Sequence, residues 1–479
     1  MVRIEVMTKT TRQYGRWPSP LTSTVVAAGR RLDGIAFDTH SNSLVWLEGR
    51  SGQGVLVVDD DSGQAPRDLT SPHNVRAEVG YGGGDFTVQG SNAYFVEHGS
   101  ARLFRVALAG GPATAITPGF GHASSPCVSA DGRFVAYVHT HEDIDRIAVV
   151  DSNGDHWPSI LASGHDFFMQ PRISPDGRQL AYIAWDHPNM PWDASTLYVS
   201  DLDNSGPLPI AAPPRAVAGG DEIAVFQPEF STDGSKLFFV SDQSGWGRLG
   251  RCDLENNAID WLTDDGTEFG TPAWAQNMRT YAVCGDGRSI AAVASQDGFL
   301  SVVRIDLDSG EHTRVEPLAP LTDISSIVAA CDDSTIAVIG SNSTQTPQVV
   351  ACNLLDSTSR VVARSTGEML DCDNLSAPQA ISWESAGGET AHGLFYPPTN
   401  ATHQGTGLPP ALVMIHGGPT SQSRAGWKAD VQYFASRGWA VLQVNYRGST
   451  GYGRDYMLKL RGNWGICDVE DAISGVRHL

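Results

Sequence analysis

Short apolar stretches alternate with polar turns along most of the chain, in a plan that recurs about every fifty residues. Each unit contains an apolar strand, a turn with Asp-Gly or an equivalent pair, a second apolar strand, a loop and a third strand. Segments 129–138, 174–183 and 231–240 show this plan most clearly. Asp-Gly suits a tight hairpin turn because glycine adopts positive φ without steric cost.

Seven such units can be aligned on the first apolar residue after the turn, at intervals of 41 to 57 residues. A period of this length with four short strands per unit is typical of a β-propeller and not of a β-sandwich, whose strands show no long-range period. We predict an all-β seven-bladed β-propeller over residues 25–375, preceded by an N-terminal extension at 1–24. The aligned residues are Leu44, Ala93, Phe134, Leu180, Leu237, Ile290 and Ile336.

The loop after the second strand carries unusual side chains in three units, at residues 139–143, 185–193 and 241–246. Propeller topology places these loops on one face, where they could contact a substrate or a second domain. Packing between blades and loop rigidity are the alternative explanation. His139 and His141 make a weak zinc signal without a third ligand, so we predict no metal and no other cofactor.

The pattern of apolar positions changes after residue 375. Two alternating stretches around a glycine-containing turn predict a β-hairpin, and two uninterrupted apolar runs predict buried strands, each followed by a helical pattern. This order predicts a parallel sheet that is covered on both faces. The second region, 376–479, places the hairpin at 379–384 and 390–396, the strands at 410–415 and 439–445, and the helices at 428–436 and from about 468 to 476.

Three motifs of this second region follow one another in order. They are His416-Gly417-Gly418-Pro419, then Asn445-Tyr446-Arg447 with the following Gly-Ser-Thr-Gly-Tyr-Gly, then Trp-Gly-x-x-Asp-Val-Glu-Asp at 464–471. Together they resemble the start of the hydrolase domain of the prolyl oligopeptidase family of serine peptidases, with the acylaminoacyl-peptidase-like branch as the nearest match. That family places a β-propeller before an α/β-hydrolase domain, so the resemblance implies that 376–479 is the N-terminal part of an α/β-hydrolase.

The same resemblance assigns one half of an oxyanion hole to Gly417 and Gly418, with the N–H of Gly418 as the favoured donor. A bare turn is the alternative reading of these glycines. A hydrolase of this kind also needs a nucleophile on a Gly-x-Ser-x-Gly elbow. No serine in the sequence has glycine both two residues before it and two residues after it. Ser449 comes closest, and we interpret it as structural. We therefore expect the Ser/Asp/His triad beyond Leu479, and a 479-residue polypeptide that is inactive by itself.

Composition narrows the class of partner. Lysine and arginine number 33 against 54 acidic residues, a net charge of −21, which argues against nucleic acid because phosphate binding needs clustered cations. Residues 1–10 lack the apolar core of a signal peptide, and no apolar run is long enough to span a membrane. Seven scattered cysteines without a Cys-x-x-Cys pair indicate reduced thiols and a cytoplasmic protein.

These observations predict a serine-type peptidase that hydrolyses short peptides or acyl-peptides, without a cofactor. Two alternatives stay open: a β-propeller binding or scaffold protein with a vestigial hydrolase remnant, and an esterase that would use the same nucleophile. Whether the protein forms a homo-oligomer is open as well.

Overall fold

The computed structural model describes residues 9–24, 29–332, 334–367 and 370–479. Residues 1–8 of the predicted N-terminal extension and residues 25–28 of the predicted propeller lie outside the described residues. Strand β1 (Thr10–Thr11) is followed by seven consecutive antiparallel sheets and then by one mixed sheet, and this arrangement is β-propeller-like. Over the described ranges, no helix combines the length and the apolar character needed to cross a membrane.

Sheets 1 to 3 have four strands each, in chain order. Sheet 1 contains β2 (Arg31–Phe37), β3 (Leu44–Arg50), β4 (Gln53–Asp59) and β5 (Arg67–Asp68). Sheet 2 contains β6 (Phe86–Gln89), β7 (Asn92–Glu97), β8 (Arg102–Ala107) and β9 (Thr114–Ala115). Sheet 3 contains β10 (His122–Val128), β11 (Phe134–His141), β12 (Ile144–Asp151) and β13 (Ser159–Ala162).

Sheets 4 to 7 continue the plan, and sheet 4 has a fifth strand. Sheet 4 contains β14 (Phe167–Ile173), β15 (Gln179–Trp185), β16 (Ser195–Asp203), β17 (Ile210–Ala211) and β18 (Arg215–Gly220). Sheet 5 contains β19 (Val225–Phe230), β20 (Lys236–Ser241), β21 (Arg248–Asp253) and β22 (Ile259–Trp261). Sheet 6 contains β23 (Tyr281–Val283), β24 (Ser289–Gln296), β25 (Phe299–Asp306) and β26 (His312–Arg314). Sheet 7 contains β27 (Asp323–Ala329), β28 (Thr335–Asn342), β29 (Gln345–Asn353) and β30 (Thr358–Arg364).

The second region forms sheet 8 and its helices. Its strands are β31 (Gln379–Glu384), β32 (Thr390–Tyr396), β34 (Ala411–Ile415) and β35 (Ala440–Asn445), while β33 (His403–Gln404) pairs with β1. The α-helices are α1 (Ala429–Ala435), α2 (Arg454–Leu458) and α3 (Cys467–His478). Three short 3₁₀ turns lie at Glu316–Leu318, Cys372–Asn374 and Ala386–Gly388.

The turn between the first and second strands explains why the repeat is visible in the sequence. In sheet 3 the Ser129 hydroxyl donates to Asp131, at 2.6 Å, and Gly132 takes φ +71°. The same serine and aspartate geometry closes the turns of sheets 4 and 5. Each of the seven aligned apolar residues lies at the first or second position of the second strand of its sheet. These residues are all fully buried, so the repeat also marks the core.

The first strands of the seven sheets surround a central cavity of about 1150 Å³. Strand β2 of sheet 1 contacts β6, the first strand of sheet 2, and also β27, the first strand of sheet 7. Segments 80–84 and 275–279 line the cavity and are joined by a parallel bridge between Gly83 and Gln276. The N–H of Gln276 donates to the Gly82 carbonyl at 2.9 Å, and a Cβ on Gly83 would lie only 2.5 Å from the Gln276 carbonyl oxygen. Close packing of this kind requires glycine at position 83.

Sheet 8 has the order β31-β32-β35-β34 and is mixed. The two strands for which parallel pairing is predicted, β34 and β35, are parallel as predicted. The sheet is mixed because β31 and β32 form the predicted antiparallel hairpin, and β32 pairs antiparallel with β35. Both faces of β35 are covered as predicted: Leu442 packs with residues of α3, and Val441 packs with residues of α1.

The described part of the N-terminal extension packs on the second region. Thr10 and Thr11 pair with β33, and the side chains of Trp17 and Leu21 are buried. The Arg437 guanidinium donates to the Leu21 carbonyl at 2.8 Å. The extension therefore links the start of the chain to the region that follows the seven sheets.

Strand β34 forms one edge of sheet 8 within the described residues, and its side chains are only partly buried. Ile415 is 52% exposed. Helix α3 also presents apolar side chains to solvent, among them Val469 and Ile473. An open strand edge beside exposed apolar side chains favours association.

We predict that the 479-residue polypeptide self-associates at micromolar concentration, and that Ile473→Lys reduces this association. Leu355→Lys, which changes a more exposed apolar side chain between β29 and β30 of sheet 7, serves as the control and leaves association unchanged. Light scattering measures both. A monodisperse monomer of the unaltered polypeptide would contradict the expectation.

Candidate active site

The His-Gly-Gly-Pro loop, residues 416–419, follows β34 at the same edge of sheet 8 where β35 ends. Parallel pairing of the two strands brings His416 beside Tyr446, and their rings stack with centroids 4.6 Å apart. The Tyr446 hydroxyl donates to the His416 carbonyl at 3.2 Å, and burial raises the pKa of Tyr446 to about 12. Two of the three sequence motifs are thus in direct contact.

His416 also contacts Ser449, with 2.8 Å between Nε2 and Oγ. The His416 Nδ1 lies 3.1 Å from the Gly417 carbonyl, which makes Nδ1 the protonated nitrogen and Nε2 the acceptor for the serine hydroxyl. Burial lowers the pKa of His416, so the ring is neutral at pH 7. Ser449 is fully buried, and within the described chain no carboxylate bonds to His416. This geometry agrees with a structural role for Ser449.

Gly417 and Gly418 are both exposed, and neither N–H donates a hydrogen bond to any described residue. Gly418 has φ +133°, and a Cβ there would lie 3.2 Å from Ser421. A Cβ on Gly417 would meet open space. A free N–H group on an exposed loop at the end of a strand can supply one half of an oxyanion hole.

Asn445 ties the end of β35 to the segment that follows the His-Gly-Gly-Pro loop. Its Oδ1 accepts from the Ser423 N–H at 2.7 Å, and its Nδ2 donates to the Ser423 carbonyl at 3.1 Å and to the Tyr452 hydroxyl at 2.9 Å. The side chain is fully buried. Asn445 therefore holds the loop in place and does not face a substrate.

Arg447 is fixed by α3 through Asp471. The Asp471 carboxylate accepts from the backbone N–H of Arg447 at 2.7 Å and from its guanidinium at 2.9 Å. Ser385 donates to the same carboxylate at 2.5 Å, and Glu470 pairs with the outer side of the guanidinium at 2.9 Å. Asp471 is fully buried, and its hydrogen bonds raise the pKa of Arg447 further. The second and third sequence motifs meet in this ion pair.

Sheets 6 and 7, with the segment before β23, hold the residues that follow the His-Gly-Gly-Pro loop. The indole N–H of Trp274 donates to the Thr420 carbonyl at 2.7 Å. The Thr322 hydroxyl donates to the Ala425 carbonyl at 2.6 Å, and Arg424 pairs with Asp323 at 3.1 Å. Sequence reasoning missed these residues, because nothing in their spacing marks them as contacts of a loop more than a hundred residues away.

A second contact joins sheets 4 to 6 to the start of α2. Arg454 pairs with Asp242 and donates to the carbonyls of Trp192 and Asp193. The face predicted from the loops at 185–193 and 241–246 is therefore confirmed as a contact with the second region. The loop at 139–143 makes no hydrogen bond to that region among the described residues. Nor do the described residues bring three potential ligands together for a metal ion.

Glu268 lies at the centre of this contact. Its carboxylate accepts from the N–H of Gly453 at 3.1 Å and from the N–H of Gly247 at 2.7 Å, beside Asp242 and its partner Arg454. Burial raises the pKa of Glu268 from 4.5 to about 7, against the opposing effect of the two N–H donors. Burial likewise raises the pKa of Asp242.

We predict a pH dependence of stability that originates in Glu268. The folded protein binds the proton of the Glu268 carboxyl group more tightly than the unfolded chain does. The contribution of Glu268 to the free energy of unfolding therefore falls by about 2–3 kcal/mol as the pH rises from 4.5 to 7. Urea unfolding at several pH values gives the free energy of unfolding of the wild type and of Glu268→Gln. The contribution of Glu268 is the difference between the two slopes of this free energy against pH. The exposed Glu311→Gln is the control. Identical slopes for wild type and Glu268→Gln would refute the assignment.

Comparison with known proteins gives one family and several relatives. A sequence model of the prolyl oligopeptidase family matches residues 426–479. The acylamino-acid-releasing enzyme of Arabidopsis thaliana is 23% identical over 315 residues, which is 58% of this chain and 40% of that protein. The chain therefore spans less than half the length of the first curated relatives it matches.

Solved structures match over nearly the whole chain. A puromycin hydrolase superimposes with a TM-score of 0.87 at 30% identity, over 98% of this chain and 74% of that one. A puromycin-hydrolyzing peptidase of Mycobacterium tuberculosis superimposes with a TM-score of 0.88 at 27% identity, over 98% of this chain and 75% of that one. The similarity extends through the seven sheets and sheet 8 together.

Proposed function

The chain belongs to the prolyl oligopeptidase family, in the acylaminoacyl-peptidase type, and from this premise we propose that it contributes to a serine peptidase acting on short peptides or acyl-peptides. The observation that supports the proposal most is the His-Gly-Gly-Pro loop, because its two backbone N–H groups at the end of β34 have no hydrogen-bond partner among the described residues. No cofactor is needed for this chemistry.

The proposed step is acyl transfer to a serine. The serine hydroxyl attacks the substrate carbonyl while a histidine takes its proton, and the carbonyl oxygen gains negative charge. When the carbonyl re-forms, the C–N bond breaks and the amine leaves with the proton from the histidine; water then releases the acyl group from the serine by the same route. The N–H of Gly418, and with it Gly417, would donate to that oxyanion together with the N–H of the residue after the nucleophile. His416, Pro419 and Asn445 would hold the loop, and Tyr446 and Arg447 would anchor it to β35 and α3.

We also propose that the nucleophile, its histidine and its acid are not among these 479 residues. Two observations support this: no serine of the sequence has glycine both two residues before it and two residues after it, and Ser449, which is bonded to His416, is fully buried. On this proposal the 479-residue polypeptide is inactive by itself.

The proposed domains are a seven-bladed propeller at 25–375 and the first part of an α/β-hydrolase at 376–479, with 1–24 as an extension. Contact of β2 with β27 supports closure of the seven sheets into a ring. A ring of this size would restrict the substrate to short peptides. All seven cysteines are free thiols, which supports a cytoplasmic location.

Hydrolysis by the natural protein that contains these residues tests the proposal. N-acetylalanine p-nitroanilide, its unacetylated counterpart and puromycin are compared as substrates, with and without a fluorophosphonate. Hydrolysis that the fluorophosphonate abolishes supports a serine peptidase, and preference for the acetylated substrate supports the acyl-peptide class. Absence of hydrolysis of all three substrates would instead favour a propeller scaffold. The observation that favours this alternative is that the sequence contains no Gly-x-Ser-x-Gly elbow.

A further inference from the structure

A pocket of 240 Å³ lies on sheet 3, and none of its lining residues has a hydrogen bond or an ion pair to the second region among the described residues. We call it the sheet-3 pocket. Its walls come from β11 and β12 and from the loops before β10 and β13. The aromatic and basic side chains of the lining are those of Phe120, Tyr137, His139, His141, Arg146 and Trp157.

Flat aromatic surfaces border the sheet-3 pocket. The rings of Phe120 and Trp157 are parallel, with centroids 5.7 Å apart, and Trp157 is 69% exposed. The imidazoles of His139 and His141 stack on each other, and Phe120 meets both edge-on. Exposed aromatic rings around a cavity are suited to a planar apolar ligand.

Arg146 supplies the only cationic side chain among the described residues that line this pocket. It is half-buried, lies opposite His139 in the β11–β12 ladder, and has no hydrogen bond or ion pair within the described ranges. The planar guanidinium matches a carboxylate in shape and charge, and Arg146 has no such partner among the described residues. The imidazole of His139 is neutral, because burial lowers its pKa and Arg146 adds to the effect.

We propose that the sheet-3 pocket binds one planar aromatic group that carries a carboxylate. The ring would lie against Phe120 and Trp157, and the carboxylate would pair with Arg146. The pocket volume is below the range of about 300–1000 Å³ typical of drug-sized ligands, so it fits a single aromatic residue and not an extended peptide. This ligand is either a free aromatic acid or the C-terminal residue of a peptide. The proposal does not depend on the peptidase function.

Ligand-detected NMR titration of the 479-residue polypeptide tests the proposal with three probes. N-acetyl-L-phenylalanine represents the free acid, Gly-Gly-Phe represents a peptide C-terminus, and N-acetyl-L-phenylalanine amide lacks the charge. We expect at least one of the acids to bind with a Kd on the order of 1 mM, as for a ligand of this size. The amide should bind about tenfold more weakly, because it cannot pair with the guanidinium.

Two substitutions locate the binding site. Arg146→Gln should reduce acid binding to the level of the amide, and Trp157→Ala should weaken acid and amide alike. The matched controls are Arg288→Gln, an exposed arginine of the β23–β24 turn, and Trp464→Ala, a tryptophan that is 66% exposed in the second region. Both controls should bind as the unaltered chain does. Melting temperatures verify that each variant is folded.

Three outcomes would overturn the proposal: absence of saturable binding by either acid up to about 10 mM, equal binding of acid and amide, or losses in the controls as large as in the pocket variants. The comparison of acid with amide uses the unaltered chain, so it remains decisive if a variant fails to fold. Binding of either acid with loss in Arg146→Gln supports the proposal, and the better of the two acids identifies the source of the ligand.

Discussion

Asp471→Asn is expected to lower the free energy of unfolding by about 3–5 kcal/mol, the usual cost of leaving a buried charge without its partner. Asp471 is fully buried and accepts from both the backbone and the guanidinium of Arg447. With a neutral amide at position 471, Glu470 at the solvent side is the one carboxylate that the guanidinium keeps among the described residues. Urea unfolding at pH 7, followed by circular dichroism, measures the loss.

Glu470→Gln provides the matched control, since it removes the other carboxylate from the same arginine. The Glu470 side chain is 41% exposed, and partly exposed ion pairs contribute at most about 1 kcal/mol. We therefore expect a large difference between two neighbouring substitutions. If Asp471→Asn costs no more than Glu470→Gln, the buried ion pair does not stabilise the junction of β35 and α3.

Gly418→Ala in the natural protein that contains these residues is expected to lower kcat by about 10²- to 10³-fold, which is the usual effect of losing one oxyanion donor. A Cβ at position 418 is disfavoured by φ +133° and by the contact with Ser421, so the loop must shift and its N–H groups turn away. The KM should change by less than about threefold, because the interaction forms mainly in the transition state.

Gly407→Ala is the control for backbone strain. Gly407 also has positive φ, +78°, but lies in an exposed loop of the same region where a Cβ meets open space. Its kcat should stay within about twofold of the wild type. A Gly418→Ala enzyme that retains more than about a tenth of the wild-type kcat would exclude Gly418 as an oxyanion donor.

The repeat and the elements of the second region could be predicted because they depend on local chemistry. Aspartate and glycine set the hairpin turns, and apolar residues such as Leu44 and Leu237 fill each sheet interior. The mixed order of sheet 8 could not be predicted, because strand pairing depends on which edges meet in space. Helix α2 was also missed: it has five residues, too few for a helical period to be read.

The chemistry of the His-Gly-Gly-Pro loop could be predicted from its motif. The contacts that hold the loop in place could not be predicted. Trp274 and Thr322 reach the following segment from the seven sheets, more than a hundred residues away in the chain. Contacts of this kind depend on how two regions dock, and no spacing rule encodes them. The raised pKa of Glu268 has the same origin, since burial in the contact produces it.

On the function proposed above, these residues hold an oxyanion half-site without a nucleophile. Incubation of the folded 479-residue polypeptide with a fluorophosphonate, followed by intact-mass measurement, shows whether a reactive serine is present. We predict no more adduct than in the heat-unfolded control. A stoichiometric adduct on a serine of the folded polypeptide, for example on Ser449 beside His416, would contradict it.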